Sequence, residues 1–119
     1  MKLNKKHFNL FKKEFMYWFN KFHLEPTTVV FNFKVGSKNF INASNQYSYD
    51  NSLATIYLYP DYELLTNEDI NTSLKTSAKH EAIHILIGQL SNMARWRFLD
   101  QDRFDHAEEE LVRRLEKII

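Results

Sequence analysis

The sequence predicts an α+β fold with an N-terminal helix, a three-stranded antiparallel sheet, a long central helix and a C-terminal helix. Two observations support this prediction. Apolar residues recur every three or four positions near both ends of the chain, which is typical of amphipathic helices. After the first helix, apolar and polar residues alternate, which is typical of half-buried strands. The 119 residues match a common domain size, so we expect a single domain over residues 1–119.

The first helix is expected to run from about Asn4 to Leu24, with lysines on most of its polar side. A basic face beside aromatic residues can bind nucleic acid or an anionic membrane. An aromatic stripe at helical spacing is more often part of a core, however. We therefore expect no membrane partner and keep nucleic-acid binding only as a third hypothesis. The stripe consists of Phe8, Phe11, Phe15, Trp18 and Phe22.

Three strands are predicted from the alternation that follows Pro26. Val29, Phe31 and Phe33 mark the inner face of the first strand. Turn residues separate consecutive strands, and short strands joined in this way favour an antiparallel meander. The expected ranges are 29–35, 38–43 with a continuation to 49, and 53–59.

The central helix is expected to begin near Thr66 or Asn67 and to end near Asn92 or Met93. Threonine and asparagine are both suitable N-cap residues. Gly88 lies inside this helix, where glycine costs about 1 kcal/mol relative to alanine. We therefore expect a strand or another helix to approach Gly88 closely.

The central helix carries the motif H-E-x-x-H at His80, Glu81 and His84. Residues four apart share one helix face, so both imidazoles can reach a single ion. Imidazole suits Zn²⁺, and a catalytic zinc has three protein ligands and a water. Coordination lowers the pKa of that water to about 7, and Glu81 is placed to take its proton as general base. The motif therefore predicts one Zn²⁺ ion and a hydrolytic site; the alternative is a helix whose two histidines are only hydrogen-bonded.

The last helix supplies the candidates for the third zinc ligand. Its apolar arc places Glu108 near the middle of the buried face and Glu109 at the edge of that face. A carboxylate on a buried face needs a partner, so Glu108 is the first choice and Glu109 the second. His106 and Asp105 compete for the role, and the alternative is a solvated run of acidic residues. The arc consists of Phe104, Leu111, Val112, Leu115, Ile118 and Ile119.

Composition limits the chemistry and the location of the protein. The chain has no cysteine, so zinc must be held by histidine and carboxylate. The basic start, residues 1–6, is not followed by an apolar run of the signal-peptide type, and no apolar run is long enough to cross a membrane. We therefore expect a cytoplasmic protein.

Three segments resemble the zincin metallopeptidases that use glutamate as third zinc ligand, and among these the small metallopeptidases of phages and prophages. The segments are the strand at 54–58, the motif helix at 80–88 and the closing segment at 108–116. The resemblance implies a minimal zincin-like fold. It also implies that the two motif histidines bind zinc, that the motif glutamate is the general base, and that a glutamate of the closing segment completes the site.

The resemblance further implies a substrate-binding role for Ile56 and Tyr57. Their strand would be a sheet edge beside the active-site cleft, where its backbone groups bind an extended peptide by strand addition. Candidates for stabilising the oxyanion are His106, Tyr57 and Arg97.

Three functions are therefore considered. The first is a small zinc-dependent metallopeptidase that acts on a protein or peptide substrate. The second is a non-catalytic, zinc-stabilised module that binds a protein partner. The third is a nucleic-acid or anionic-surface binder that uses the first helix. An open coordination position and a cleft distinguish the first from the second, and a steep salt dependence marks the third.

Overall fold

The structure is a computed structural model that describes residues 1–24, 27–34, 42–48, 51–64, 69–94, 101–116 and 118. Helices and strands both form in these ranges, which confirms the α+β class. In chain order the elements are α1 (Lys5–Lys21), β1 (Thr28–Phe33), β2 (Ala43–Ser48), β3 (Leu53–Leu58), α2 (Ile70–Ala94) and α3 (Gln101–Glu116).

The sheet is mixed, so the expectation of an antiparallel meander is wrong. β3 lies in the middle, with β2 antiparallel on one side and β1 parallel on the other. Composition explains why β2 lies at an edge, because a strand in the interior of a sheet is buried on both sides and therefore apolar. β3 reads Leu-Ala-Thr-Ile-Tyr-Leu, whereas the edge strand β2 reads Ala-Ser-Asn-Gln-Tyr-Ser. β2 is the expected continuation of the second strand, and positions 38–41 lie outside the described residues.

One face of the sheet packs against α1 and α2 and forms the core. The rings of Phe15 and Phe31 meet edge to face with centroids 5.4 Å apart, and Phe8 stacks on Phe33 at 4.8 Å. The aromatic stripe of α1 is therefore core, as predicted. The buried residues of the main elements are Phe11, Phe15 and Phe19 on α1, Ala54, Ile56 and Leu58 on β3, and Leu74, Ala78, Ala82, Ile85 and Leu86 on α2.

Helix α2 begins later than the sequence suggested, and Asp69 is its N-cap. The Oδ1 atom of Asp69 accepts a hydrogen bond from the backbone N–H of Thr72 at 2.7 Å. This bond satisfies one of the N–H groups that lack a partner at the start of a helix. The expected caps, Thr66 and Asn67, lie outside the described residues.

A buried tyrosine fixes the first turns of α2 to the segment before it. The hydroxyl oxygen of Tyr62 lies 2.8 Å from Ser73 Oγ and 2.7 Å from Ser77 Oγ. The backbone N–H of Tyr62 also donates to the carbonyl of Met1 at 2.9 Å, so the N-terminal residues hold the same segment. These contacts set the position of α2, and hence of the motif, relative to the sheet.

Helix α3 packs mainly against α2. None of the helices in the described ranges combines the length and the apolar character needed to cross a membrane.

Replacing Asp69 by alanine is expected to lower the melting temperature by a few degrees, because the N–H of Thr72 loses its acceptor. Asp69→Asn keeps an acceptor at the cap and is the matched control. Thermal melts at neutral pH measure the difference. Equal melting temperatures for wild type and Asp69→Ala would show that the cap contributes nothing.

The same cap predicts a pH dependence. The hydrogen bond from the backbone of Thr72 lowers the pKa of Asp69 from its usual value of 3.8. The folded state therefore favours the charged form, so the stabilisation is present above the unfolded-state pKa and is lost as the pH falls through the folded-state pKa. As the pH falls below the usual value of 3.8, wild type should lose stability relative to Asp69→Asn, which has no proton to bind at this position.

Candidate metal centre

His80 and His84 converge on one point at the solvent-exposed face of α2. Their Nε2 atoms lie 3.1 Å apart, and their ring planes are inclined by 77°. Both residues are exposed. The spacing of four residues on a helix produces this convergence. In this arrangement one imidazole can donate a hydrogen bond to the other, so the pair is stable without an ion.

The same pair fits a zinc ion. Two imidazole nitrogens at about 2.0–2.1 Å from a tetrahedral zinc lie about 3.3 Å apart. The observed Nε2–Nε2 distance of 3.1 Å is close to that value. Because the pair is on an exposed face, further ligands and water have access to it. The geometry therefore supports two of the predicted ligands.

Glu81 is 5% exposed and is the one buried charged residue among those described. Around the helix its side chain lies about 100° from His80 and about 60° from His84. Its Oε2 atom accepts a hydrogen bond from Nδ2 of Asn45 on β2. A buried carboxylate is costly unless donors or a cation compensate it. The described part of the chain gives Glu81 no ion pair, so a cation at the histidine pair would stabilise it.

Strand β2 borders the side of α2 that carries the histidines. Asn45 contacts Glu81, and two residues later Tyr47 lies over Gly88, where an added methyl group would be 3.4 Å from Cδ1 of Tyr47. A strand therefore lies over Gly88, as expected, but the methyl group of an alanine would fit there at an ordinary contact distance. Gly88 lies only about 40° around the helix from His84. The edge strand and the histidine pair are therefore neighbours.

The structure brings no third His, Asp or Glu to the histidine pair within the residues it describes. Glu108 is exposed, so the burial expected for it is wrong. The reason is the rotation of α3 about its axis. Leu111, Leu115 and Ile118 pack against the core, as predicted. Val112 is 42% exposed, however, so the buried arc is narrower than predicted and Glu108 lies outside it.

The other candidates on α3 have partners within their own helix. Oε1 of Glu109 lies 3.7 Å from Nε of Arg113, and Nε2 of His106 lies 3.7 Å from Oε1 of Glu110. Asp105 accepts a hydrogen bond from a side chain one turn earlier. Exposed pairs of this kind are weak and would not prevent a side chain from binding an ion. The assignment of the third ligand stays a prediction.

The strand expected to bind the substrate is not a sheet edge, and that expectation is wrong. β3 is paired on both sides, so the backbone groups of Ile56 and Tyr57 belong to its two ladders. Ile56 is fully buried. Tyr57 faces the opposite side of the sheet from α2, where the Lys34 ammonium lies 4.7 Å from its ring centre. Arg97, the remaining oxyanion candidate besides His106, lies outside the described residues.

Sequence reasoning missed Asn45. The run Ser44-Asn45-Gln46 has the composition of a turn. A signal was nevertheless present, because Ala43 and Tyr47 flank Asn45 at spacings of two, and both pack against the core. Since strand residues alternate between faces, Asn45 must point inward with them. A polar residue on an inward face predicts a polar partner on the element that covers it.

Comparisons of this chain with protein-family models, with curated proteins and with solved structures find no match. The geometry of the site and the chemistry of its residues therefore carry the functional argument.

Wild-type protein is expected to bind about one equivalent of zinc, because the histidine pair suits one ion. His80→Ala and His84→Ala should each weaken zinc binding strongly. His23→Asn is the matched control: His23 is an exposed histidine at φ 55°, a conformation that asparagine tolerates. Metal analysis after dialysis and calorimetric titration measure the effect. Wild-type affinity in both alanine variants would contradict the site.

The third ligand can be found by comparing Glu108→Ala with Glu109→Ala. The variant that removes the true ligand should bind zinc much more weakly, and the other should bind like wild type, because a catalytic zinc has three protein ligands. The same calorimetric titration distinguishes them. If both variants keep wild-type affinity, neither glutamate is the ligand, and His106→Ala becomes the next variant to measure.

Proposed function

We propose that the protein is a cytoplasmic zinc-dependent metallopeptidase in which His80 and His84 bind the ion and Glu81 is the general base. One observation supports this proposal most directly. Two Nε2 atoms converge to 3.1 Å on an exposed helix face, beside a carboxylate that is buried without an ion pair in the described ranges. When bound, the ion makes a water molecule acidic enough to act as a nucleophile near neutral pH.

The residues of the chain have separate tasks in this proposal. The two imidazoles would hold the ion, and because both are exposed, water would have access to it. Oε2 of Glu81 is engaged by Asn45, which leaves Oε1 to take the proton of the attacking water and to pass it to the leaving amine. Glu108 or Glu109 is the proposed third ligand.

The proposed substrate-binding strand is β2. It is an edge of the described sheet, so its outer backbone groups are not paired with another described strand. An extended peptide can add to such an edge through main-chain hydrogen bonds. Because Asn45 and Tyr47 hold β2 against α2, a peptide on this strand would lie close to the histidine pair. The proposed substrate is therefore an extended segment of a protein or peptide.

Exposure of the histidines favours an enzyme over a non-catalytic zinc module. A structural zinc site is closed by four protein ligands. His80 and His84 are both exposed, and Ile83, which lies about 60° around the helix from His80, is exposed as well. An ion at this position would keep contact with solvent, as a catalytic ion requires.

Glu81→Gln is expected to keep the fold and the zinc, because the amide is nearly isosteric and its carbonyl can still accept from Asn45. Loss of the general base should reduce cleavage by about 10²–10⁴-fold. The measurement pairs zinc content with cleavage of a mixed library of unstructured peptides, followed by mass spectrometry. Glu116→Gln, which changes an exposed glutamate of α3, is the control.

Two results would count against the proposal. One is a zinc-loaded Glu81→Gln protein that cleaves the library as fast as wild type. The other is a zinc-loaded wild type that cleaves no peptide of the library.

A further inference from the structure

Two polar side chains meet where strand β2 borders helix α2. Glu81 is buried on a face of α2 whose other buried residues are apolar. Asn45 is the polar residue on the inward face of β2, between Ala43 and Tyr47. Nδ2 of Asn45 donates a hydrogen bond to Oε2 of Glu81. The carboxylate of Glu81 and the amide of Asn45 therefore form one polar pair between α2 and β2.

Stability does not explain this pair. An apolar pair of similar shape would avoid the cost of removing a carboxylate from water. Replacing buried charged groups by well-packed apolar residues often leaves a protein equally stable or more stable. The polar pair does have another consequence, because it holds the carboxylate of the residue that follows His80 and lies about 60° around the helix from His84.

Asn45 is suited to holding a carboxylate that must react. Its amide donates an N–H and is neutral. A positively charged donor in its place would compete with a metal ion at the histidines for the carboxylate. Its backbone is fixed opposite Ile56 in the ladder with β3. Tyr47 packs against Gly88 of the same helix, so β2 and α2 are held together at a second point. One oxygen of Glu81 is therefore held in a defined position.

We infer that Asn45 is a positioning residue that orients Glu81 toward the metal site of His80 and His84. This inference rests on the proposed function. It also links two parts of that function, because the strand that would bind the peptide is the strand that holds the base. Asn45 acts through Glu81, and its loss should leave the zinc ligands unchanged.

Replacing zinc by Co²⁺ provides a test that needs no substrate. The visible absorption bands of bound Co²⁺ depend on its ligands and on the groups that contact those ligands. Asn45→Ala should bind Co²⁺ with wild-type stoichiometry but shift its visible absorption bands, as Glu81→Gln should. Asn9→Ala is the matched control, since Asn9 is an exposed amide of α1 and belongs to no part of the proposed site. A wild-type spectrum for Asn45→Ala would overturn the inference.

Kinetics separate this inference from the proposed function. On a library peptide that wild type cleaves, Asn45→Ala should lower kcat about 10–100-fold with KM unchanged, and Asn9→Ala should behave like wild type. Full kcat in Asn45→Ala would overturn the inference while the proposed function stands. If wild type cleaves no peptide, the proposed function fails, and the cobalt spectrum alone decides whether Asn45 orients Glu81.

A double variant tests whether the pair exists for stability instead. Asn45→Leu combined with Glu81→Met replaces both polar groups by apolar groups of similar size. The double variant should melt at or above the wild-type temperature, bind zinc and cleave no peptide. A melting temperature well below that of wild type would show that the pair is structural and would contradict the inference.

Discussion

Over residues 70–88, where its burial is described, helix α2 buries one face, and the packing of α1 and the sheet depends on that face. Leu74 and Ala78 pack against the core near the start of the helix, and Ala82 continues the same face. With 3.6 residues per turn, burying this face forces His80 and His84 toward solvent. The packing that stabilises the fold therefore also exposes the histidine pair. The aromatic residues of α1 and the inner face of the sheet complete the surface against which α2 packs.

Glu81 lies at the border between the buried and exposed faces of α2. Its carboxylate is removed from solvent, yet it is next to the exposed pair in sequence and on the helix surface. Asn45 meets it from the edge strand β2. The most polar strand of the sheet, β2, thus supplies the amide that donates a hydrogen bond to the buried carboxylate of Glu81. The proposed base, Glu81, and the histidine ligands thus lie on consecutive turns of α2. The proposed substrate strand, β2, contacts the same turns.

Periodicity predicted α1, α3 and the inner face of β1, because burial at a fixed spacing leaves a pattern in the sequence. The histidine pair could be found for the same reason, since spacing along a helix is local. Strand order leaves no such pattern: alternation shows which residues face inward, but not which strand lies beside them. Whether Glu108 is buried depends on how α3 is rotated about its axis, and an error of one residue in the predicted helix face changes that rotation by about 100°. The contact between Asn45 and Glu81 joins positions 36 apart, which no local pattern reveals.

X-ray absorption at the zinc K edge of protein loaded with one equivalent of zinc tests the central claim most directly. The two Nε2 atoms at 3.1 Å predict scattering from two imidazoles, with the rest of the first shell supplied by oxygen at about 2.0–2.2 Å. The imidazole contribution should fall by half in His84→Ala. A spectrum without imidazole scattering would contradict the site. A shell of four imidazoles would contradict an open, catalytic ion.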